Sequence, residues 1–377
     1  MPCLNEARAL PACIEKAFRA IRAHNLSAEV VVADNGSTDE SVEIALRLGA
    51  RVVNVAERGY GAALHAGIEA ARGTYVIMGD ADDSYDFSTI APFVERLRAG
   101  AELVMGSRFP SGGGTIMPGA MPWKHRWFGN PMLTGMGRLL FHSPISDFYC
   151  GLRGFRRDWA IALDLRTTGM EFALEMVTKA TVMNARIEEV PITLHKDARG
   201  RSPHLRSWRD GWRSVRFFLL YSPRWLFLVP GILLFLAGGV ACAALLPGPV
   251  HFGAMGFDTT TMLVAAMVLL LGYQLIIYAV FTRLFAITEK LLRPDKLTTR
   301  FFSVVSLEGG IAAGSVLLVG GLALLIYAVH LWQLRAFGAF DYSQSQRIVI
   351  PAVTAIILGV QTIFASFFLS ILGLARR

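Results

Sequence analysis

The chain has 377 residues, 53% of them hydrophobic and 18% charged, with a net charge of +8 and a mean hydropathy of +0.45. That is too apolar for a chain wholly in water and too charged for one wholly in lipid. The two tendencies separate along the sequence: ordinary globular composition up to about Tyr221, then long uncharged runs. The positive balance does not point to nucleic acid. Its densest block, Lys196 to Arg224, lies immediately before the first apolar run, where Lys and Arg bind anionic lipid headgroups and mark the cytoplasmic side. Cys3, Cys13, Cys150 and Cys242 are far apart and lack metal-type spacing, so they read as isolated thiols in a reducing compartment.

Met1 to Glu6 reads as the loop after a first strand, and the N-terminus shows no signal peptide. The expectation is a sheet short of its central first strand, as from a start codon assigned late. Residues 7 to 23 have the apolar spacing of an amphipathic helix, through Leu10, Ile14, Phe18 and Ile21. Glu29 to Ala33 is a short buried strand. Asp34-Asn35-Gly36-Ser37-Thr38-Asp39 then combines turn formers with a helix N-cap, and a helix runs through Leu48. Arg51 to Val55 is a strand, and Gly59-Tyr60-Gly61 leads into a helix to Ala71. Tyr75 to Met78 is a strand, residues 88 to 99 a helix, and Glu102 to Met105 a strand ending in Gly106-Ser107-Arg108-Phe109. Strand and helix alternate throughout, which is the pattern of an α/β domain with a mostly parallel sheet and helices on both faces.

Polar groups recur where these strands end: Asn5 and Glu6, Asp34 and Asn35, Asp80 and Asp82, then Ser107 and Arg108. Ligands of open α/β sheets lie beyond the carboxyl ends of the strands. The densest cluster is Asp80-Ala81-Asp82-Asp83. Like charges crowded at one strand end call for a cation, and hard divalent ions such as Mg²⁺ or Mn²⁺ take one or two carboxylates plus substrate phosphates. A solvated acidic turn is the bland alternative. A dinucleotide site is disfavoured, because Gly59-Tyr60-Gly61 lacks the third glycine of that fingerprint.

Pro2-Cys3-Leu4-Asn5-Glu6, the Asp34 to Asp39 hexad, Gly59-Tyr60-Gly61-Ala62-Ala63-Leu64 and Asp80-Ala81-Asp82, in this order and spacing, resemble family-2 glycosyltransferases with the GT-A fold. More narrowly, residues 1 to about 205 resemble polyprenyl-phosphate glycosyltransferases of the dolichol-phosphate mannose or glucose synthase type. The resemblance implies that Pro2, Asn5, Glu6, Asp34, Asn35 and Gly61 line the nucleotide site of a UDP- or GDP-sugar donor. It implies that Asp80 and Asp82 hold the metal bridging the diphosphate. Arg108 adds a fixed positive charge near a donor or acceptor phosphate, or forms a surface salt bridge. Ser84 stands where some relatives place a further metal ligand, often a glutamine.

Pro110 to Pro122 is rich in Gly and Pro and reads as a plain connector or as a lid over the sugar. Trp123 to Phe128 mixes aromatics with cations, as a membrane-surface segment or a helix packed on the sheet does. Asp147 to Arg156 resembles the segment that closes the acceptor side, where Arg153 reaches an acceptor phosphate or pairs with an acid. Glu171 and Glu175, on a helix running to about Met183, orient sugar hydroxyls or merely cap and decorate that helix. The acidic-Gln-Arg-Trp pattern of many inverting relatives is absent. A phosphate acceptor, already ionised at neutral pH, needs no general base. Ile187 to Ile192 resembles the edge strand, and Arg199 and Arg201 after it make a candidate phosphate clamp.

Leu205, Trp208, Trp212, Val215 and Leu219 recur at helical spacing beside Arg206, Arg209, Arg213 and Arg216, as in an interfacial helix on an anionic bilayer. Four uncharged runs follow, Trp225 to Leu246, Thr259 to Phe281, Gly309 to Trp332 and Ile348 to Leu374. Each exceeds the ~20 residues that cross a bilayer. Lys and Arg concentrate between the second and third runs (Arg283 to Arg300) and at the C-terminus, which places those segments and the catalytic domain in the cytoplasm. The expected layout is a GT-A domain over 1–203, an interfacial helix over 204–224 and a four-span membrane domain over 225–377, with a homo-oligomer open to the spans.

The reading that follows is metal-dependent transfer of a sugar from a nucleotide-sugar to polyprenyl phosphate at the cytoplasmic membrane face, with inversion. A processive polysaccharide synthase would need a base and a polymer-gripping motif after residue 170. A non-catalytic transporter or scaffold for lipid-linked sugar is the reading from another class.

Overall fold

A computed structural model describes residues 1–198, 207–288, 306–338 and 341–373. The chain divides into two compact units, Met1–Phe218 and Leu219–Arg377.

The first unit is a mixed α/β domain. Its strands β1 (Pro2–Cys3), β2 (Val31–Asp34) and β3 (Arg51–Asn54) form one parallel ladder in that order, with Cys3 opposite Asp34. A second ladder has the order β4 (Tyr75–Met78), β7 (Arg153–Arg156), β5 (Leu103–Ser107), β8 (Ile187–Pro191). Here β5 and β8 are parallel, while β7 runs antiparallel to both of its neighbours. The expected alternation of strand and helix is present, and β7 is among the strands that the sequence reading did not contain. The Gly- and Pro-rich segment after Phe109 is tied to the domain by β6 (Thr115–Ile116), which pairs in parallel with β9 (Thr193–Leu194).

Helices α1 (Leu10–Ala23), α2 (Ser41–Arg47), α3 (Tyr60–Ala70), α4 (Ala91–Arg98), α5 (Asn130–Phe141), α6 (Arg157–Ala162) and α7 (Phe172–Val182) accompany these strands. Helix α1 follows its apolar period, burying Leu10, Cys13, Ile14, Ala17 and Ala20. These join Phe93, Leu97 and Val104 in one core. The first strand spans only two residues. A cavity of about 360 Å³ is lined by residues of both ladders and of α3, among others Met1, Val31, Ala33, Ile68, Val76 and Met78.

Helix α8 (Ser207–Leu220) closes the unit. Its Phe218 is buried against the rings of Phe141 and Phe148, while Trp208 and Trp212 point outward.

In the second unit four helical segments are long and apolar enough to cross a bilayer: Arg224–Leu245, Thr259–Thr288, Leu307–Leu334 and Tyr342–Leu372. The first comprises a short π-helical turn and α9 (Val229–Leu245). The others are α10 (Thr259–Thr288), α11 (Leu307–Leu334) and α12 (Tyr342–Gly373). Small residues bring the backbones together, as expected where lipid offers no hydrophobic drive. A Cβ on Gly238 would stand 2.5 Å from the Leu269 nitrogen, and one on Gly314 would stand 2.8 Å from the Gly359 oxygen. Arg347 pairs with Asp258 at one end of this unit.

Candidate active site

The loops after β1 and β2 are laced together. The Asp34 carboxylate accepts hydrogen bonds from the amides of Gly36 and Ser37, both at 3.1 Å, which makes the Asp34–Ser37 turn rigid. Asn5, with a left-handed φ of 57°, accepts from the Thr38 amide at 2.7 Å. The Glu6 amide donates to Ser41 Oγ at 2.9 Å. Asn35 then spans to the next strand end: its side-chain nitrogen donates to the Glu57 carbonyl, and its oxygen accepts from the Gly59 amide, each at 2.7 Å. Pro2, on β1, pairs with Ala33. Thus Pro2, Asn5, Glu6, Asp34 and Asn35 lie at one end of the first ladder, with Glu6, Asp34 and Asn35 buried.

Gly61 is there because nothing larger fits. A Cβ would lie 2.5 Å from the Thr167 carbonyl oxygen, and the Ala62 amide donates to the Thr168 carbonyl at 3.1 Å. The Arg166–Thr168 loop that presses on this turn is held by Glu175. That carboxylate accepts from the Arg166 and Thr167 amides and the Thr167 hydroxyl, and it pairs with Lys179 at 2.8 Å. Burial pushes the Glu175 carboxyl upward, but the hydrogen bonds from Lys179 and Thr167 outweigh it and leave it below its ordinary 4.5. Glu175 is fully buried and spoken for, so its part is structural. Glu171 lies one turn earlier, 3.6 Å from Arg213 on α8.

At the end of β4, Asp80 and Asp82 are both engaged by neighbours. The Tyr60 hydroxyl donates to Asp80 Oδ1 at 2.9 Å. Asp82 Oδ1 accepts from the Ser84 amide at 3.0 Å and from its hydroxyl at 2.6 Å. Ser84 therefore sits beside Asp82 as a hydrogen-bond donor. Asp83 leaves this pair: with φ of 63° it turns away to Lys16, 2.7 Å distant. The backbone at Gly151 passes so close that a Cβ there would lie 2.8 Å from Asp80 Oδ2. Tyr85 fixes that passage by accepting the Gly151 amide at 2.8 Å.

Arg108, at the end of β5, makes a buried two-pronged pair with Asp147, Nε to Oδ2 at 2.6 Å and Nη2 to Oδ1 at 2.8 Å. It is an interior pair, not the surface bridge that was the alternative. Asp147 begins the segment that reaches Gly151 and Arg153. Arg153 is fully buried, and its guanidinium donates to the carbonyls of Cys150 (2.8 Å), Phe148 (3.0 Å) and Ala173. Those bonds fold the Asp147–Leu152 segment against the start of α7. Arg199 and Arg201 lie outside the described residues.

Missed by sequence reasoning were Tyr60, Asp147 and Tyr85. Tyr60 stood inside a motif read only for its glycines, and an acid thirty-nine residues from its arginine leaves no local signal.

The two carboxylates at the end of β4 are hard oxygen donors, and among the described residues no group of three or more His, Cys, Asp or Glu gathers as a metal cage. That donor set fits Mg²⁺ or Mn²⁺, which keep waters and substrate phosphates as their remaining ligands.

Comparison with known proteins gives the family. Residues 1–163 match the model described as Glycosyl transferase family 2, and residues 280–373 match the family 2 C-terminal transmembrane region. The low-salt glycan biosynthesis hexosyltransferase Agl6 of Haloferax volcanii is 37% identical over 376 residues, 99% of this chain and 88% of that protein. Glycosyltransferase AglJ of the same organism is 26% identical over 82% of this chain and 88% of its own length. Its dolichyl-phosphate hexose transferase is 31% identical over 45% of this chain and 72% of its own length. With a GT-A-like domain, a strand-end carboxylate pair and four membrane-length helices, the chain belongs to glycosyltransferase family 2.

Proposed function

We propose that this glycosyltransferase moves one sugar from a UDP- or GDP-sugar to a polyprenyl phosphate at the cytoplasmic face of the membrane, with inversion at the anomeric carbon. The observation that carries the reading is the Asp80–Asp82 turn, braced by Tyr60 and Ser84 and linked through Tyr60 and the neighbouring Gly59 amide to the Asn35 side chain. The name of the dolichyl-phosphate relative supports the acceptor class. The excess of Lys and Arg between the second and third spans supports the cytoplasmic orientation.

Asp34, Asn35, Asn5 and Glu6 hold the nucleoside end of the donor, with Pro2 and Gly61 shaping the walls. Asp80 and Asp82 hold Mg²⁺ or Mn²⁺, which when bound neutralises charge on the departing diphosphate. An oxygen of the lipid phosphate attacks the anomeric carbon. The bond from that carbon to the diphosphate oxygen breaks, and the nucleoside diphosphate leaves with the electron pair. The acceptor is ionised before it arrives, so no side chain has to remove a proton. Arg108, oriented by Asp147, adds fixed positive charge beside the phosphates. Arg153 keeps the Asp147–Leu152 segment closed over the site, Glu171 faces the sugar, and Arg199 and Arg201 complete the acceptor grip.

The test incubates membranes containing the full chain with radiolabelled UDP-, GDP- and dTDP-sugars and extracts the lipid. Label from one nucleotide class should appear in a polyprenyl-phosphate-dependent lipid product. Label only in polymer, or none in lipid with every donor, would overturn the reading.

A further inference from the structure

Because β7 runs antiparallel to β4 and β5, it starts where they end. Its first residue, Arg153, stands opposite Met78 on β4 and Met105 on β5, just short of Asp80 and Arg108. Two residues ahead of it the backbone passes Asp80, where a Cβ on Gly151 would lie 2.8 Å from Oδ2. The topology thus builds one arginine beneath both functional strand ends.

That arginine carries a charge its surroundings do not answer. Its side chain is fully buried, yet its hydrogen bonds go to the backbone carbonyls of Cys150, Phe148 and Ala173. Among the described residues no carboxylate forms an ion pair with it. The nearby buried cations are matched, Arg108 by Asp147 and Lys179 by Glu175. A buried charge without a partner is strongly disfavoured, and burial draws the Arg153 pKa below the usual arginine range. A neutral amide side chain also donates to carbonyls, so pegging the segment does not by itself call for a cation.

The charge is felt at the metal end. Burial and the Asp80 carboxylate push the Tyr60 hydroxyl well above its ordinary 10.0, and Arg153 is the positive charge that opposes them. Tyr60 is the residue whose hydroxyl donates to Asp80. In a low-dielectric interior such a charge acts over several ångströms and is little screened by salt.

We infer that Arg153 is an electrostatic residue of the transfer site, a fixed positive charge behind Asp80 that favours the donor's diphosphate and opposes the metal ion. The inference rests on the reading in which Asp80 and Asp82 hold Mg²⁺ or Mn²⁺ against a nucleoside diphosphate. Arg153 touches neither ligand and acts through the protein interior. The sign distinguishes this role from a structural one. A peg that only holds the segment shut helps both ligands, whereas a charge helps the anion and hinders the cation. Negative charge grows on the diphosphate as it leaves, so the same field favours its departure.

The experiment uses the full chain in detergent, native and Arg153→Gln, with folding checked by near-ultraviolet circular dichroism. Mn²⁺ alone is titrated by electron paramagnetic resonance, then UDP and GDP at saturating Mn²⁺ by calorimetry. Arg153→Gln should bind Mn²⁺ about threefold or more tighter, and the diphosphate preferred by the native chain about threefold or more weaker. This split should persist at about 0.5 M salt. Both affinities falling together, or neither moving, would overturn the proposal. Arg153→Lys keeps the charge and gives up most of the carbonyl bonds, so it should stay near the native chain in both affinities. A Lys variant in which both fall, or which shows the Gln pattern, would assign the effect to the hydrogen bonds and overturn the proposal, and this comparison holds alone if Arg153→Gln does not fold. A split in a chain that labels no polyprenyl lipid would uphold Arg153 and remove the proposed acceptor. Normal lipid labelling without a split would do the reverse.

Discussion

Tyr60 donates its hydroxyl hydrogen to Asp80 Oδ1 at 2.9 Å, so the first residue of α3 braces the carboxylate at the end of β4. The ring is fixed from behind by the glycines on either side of it, both in contact with the Thr167–Thr168 backbone. Tyr60→Phe keeps the ring and removes the brace. A hydrogen bond to a charged group contributes roughly 1.5–3 kcal/mol, so Mn²⁺ affinity in the presence of a nucleoside diphosphate should fall at least about tenfold. Electron paramagnetic resonance of free Mn²⁺ reads this directly. Unchanged affinity would reduce Tyr60 to a packing residue.

Asp82→Asn retains an oxygen to accept from Ser84 and so leaves the turn folded. It removes the negative charge. Sugar transfer should drop by about a hundredfold or more, in line with the loss of one electrostatic element of a transfer site. A chelator should silence the native protein, and Mg²⁺ or Mn²⁺ should restore it. Near-native transfer by Asp82→Asn would remove this carboxylate from the metal site.

Arg108→Ala leaves Asp147 as a fully buried carboxylate without its guanidinium. Breaking such a pair from one side costs about 3–5 kcal/mol. Arg108→Met with Asp147→Leu removes both charges and should recover most of the thermal midpoint. It should not recover sugar transfer if Arg108 acts on a phosphate. Recovery of both would make the pair purely structural.

Glu175 gives the first unit an acid-sensitive point. Its folded-state carboxyl is held below the ordinary 4.5, so its contribution is complete above that value and is lost as pH falls toward the folded one. Near-ultraviolet circular dichroism of the native chain and Glu175→Gln should show the two converging in stability below pH 4.5, with the variant weaker at neutral pH. A constant gap across that range would contradict the assignment.

Much of what places the candidate site is legible in the sequence. Tyr75 to Met78 is an apolar β-rich run stopped by acids, and it forms a strand over those same residues. The carboxylates and amides at strand ends follow from the alternation of strand and helix, because such a topology leaves those ends exposed to a ligand. Strand β7 was not readable. Arg153-Gly154-Phe155-Arg156 has little β propensity, and it is a strand because β4 and β5 offer hydrogen bonds on both sides and Arg153 can spend its donors on carbonyls. The cluster Asp80 to Asp83 read as three crowded acids, yet distant Lys16 draws one of them off. Composition showed the aromatic and basic character of Trp123 to Phe128 but not which way it faced. Direction came from Leu133 and Gly137 packing inward.

Among the described residues the two ladders are separate sheets, which gives the domain a seam. The nucleoside-side turn at Asp34 belongs to one ladder, the carboxylate pair at Asp80 to the other, and along the strands no ladder hydrogen bonds cross between them. A donor held as proposed spans that seam like a rivet. Its loss would loosen the joint itself, so an empty protein should breathe at the strand edges, and occupancy should be felt as stiffness far from any atom the sugar nucleotide touches.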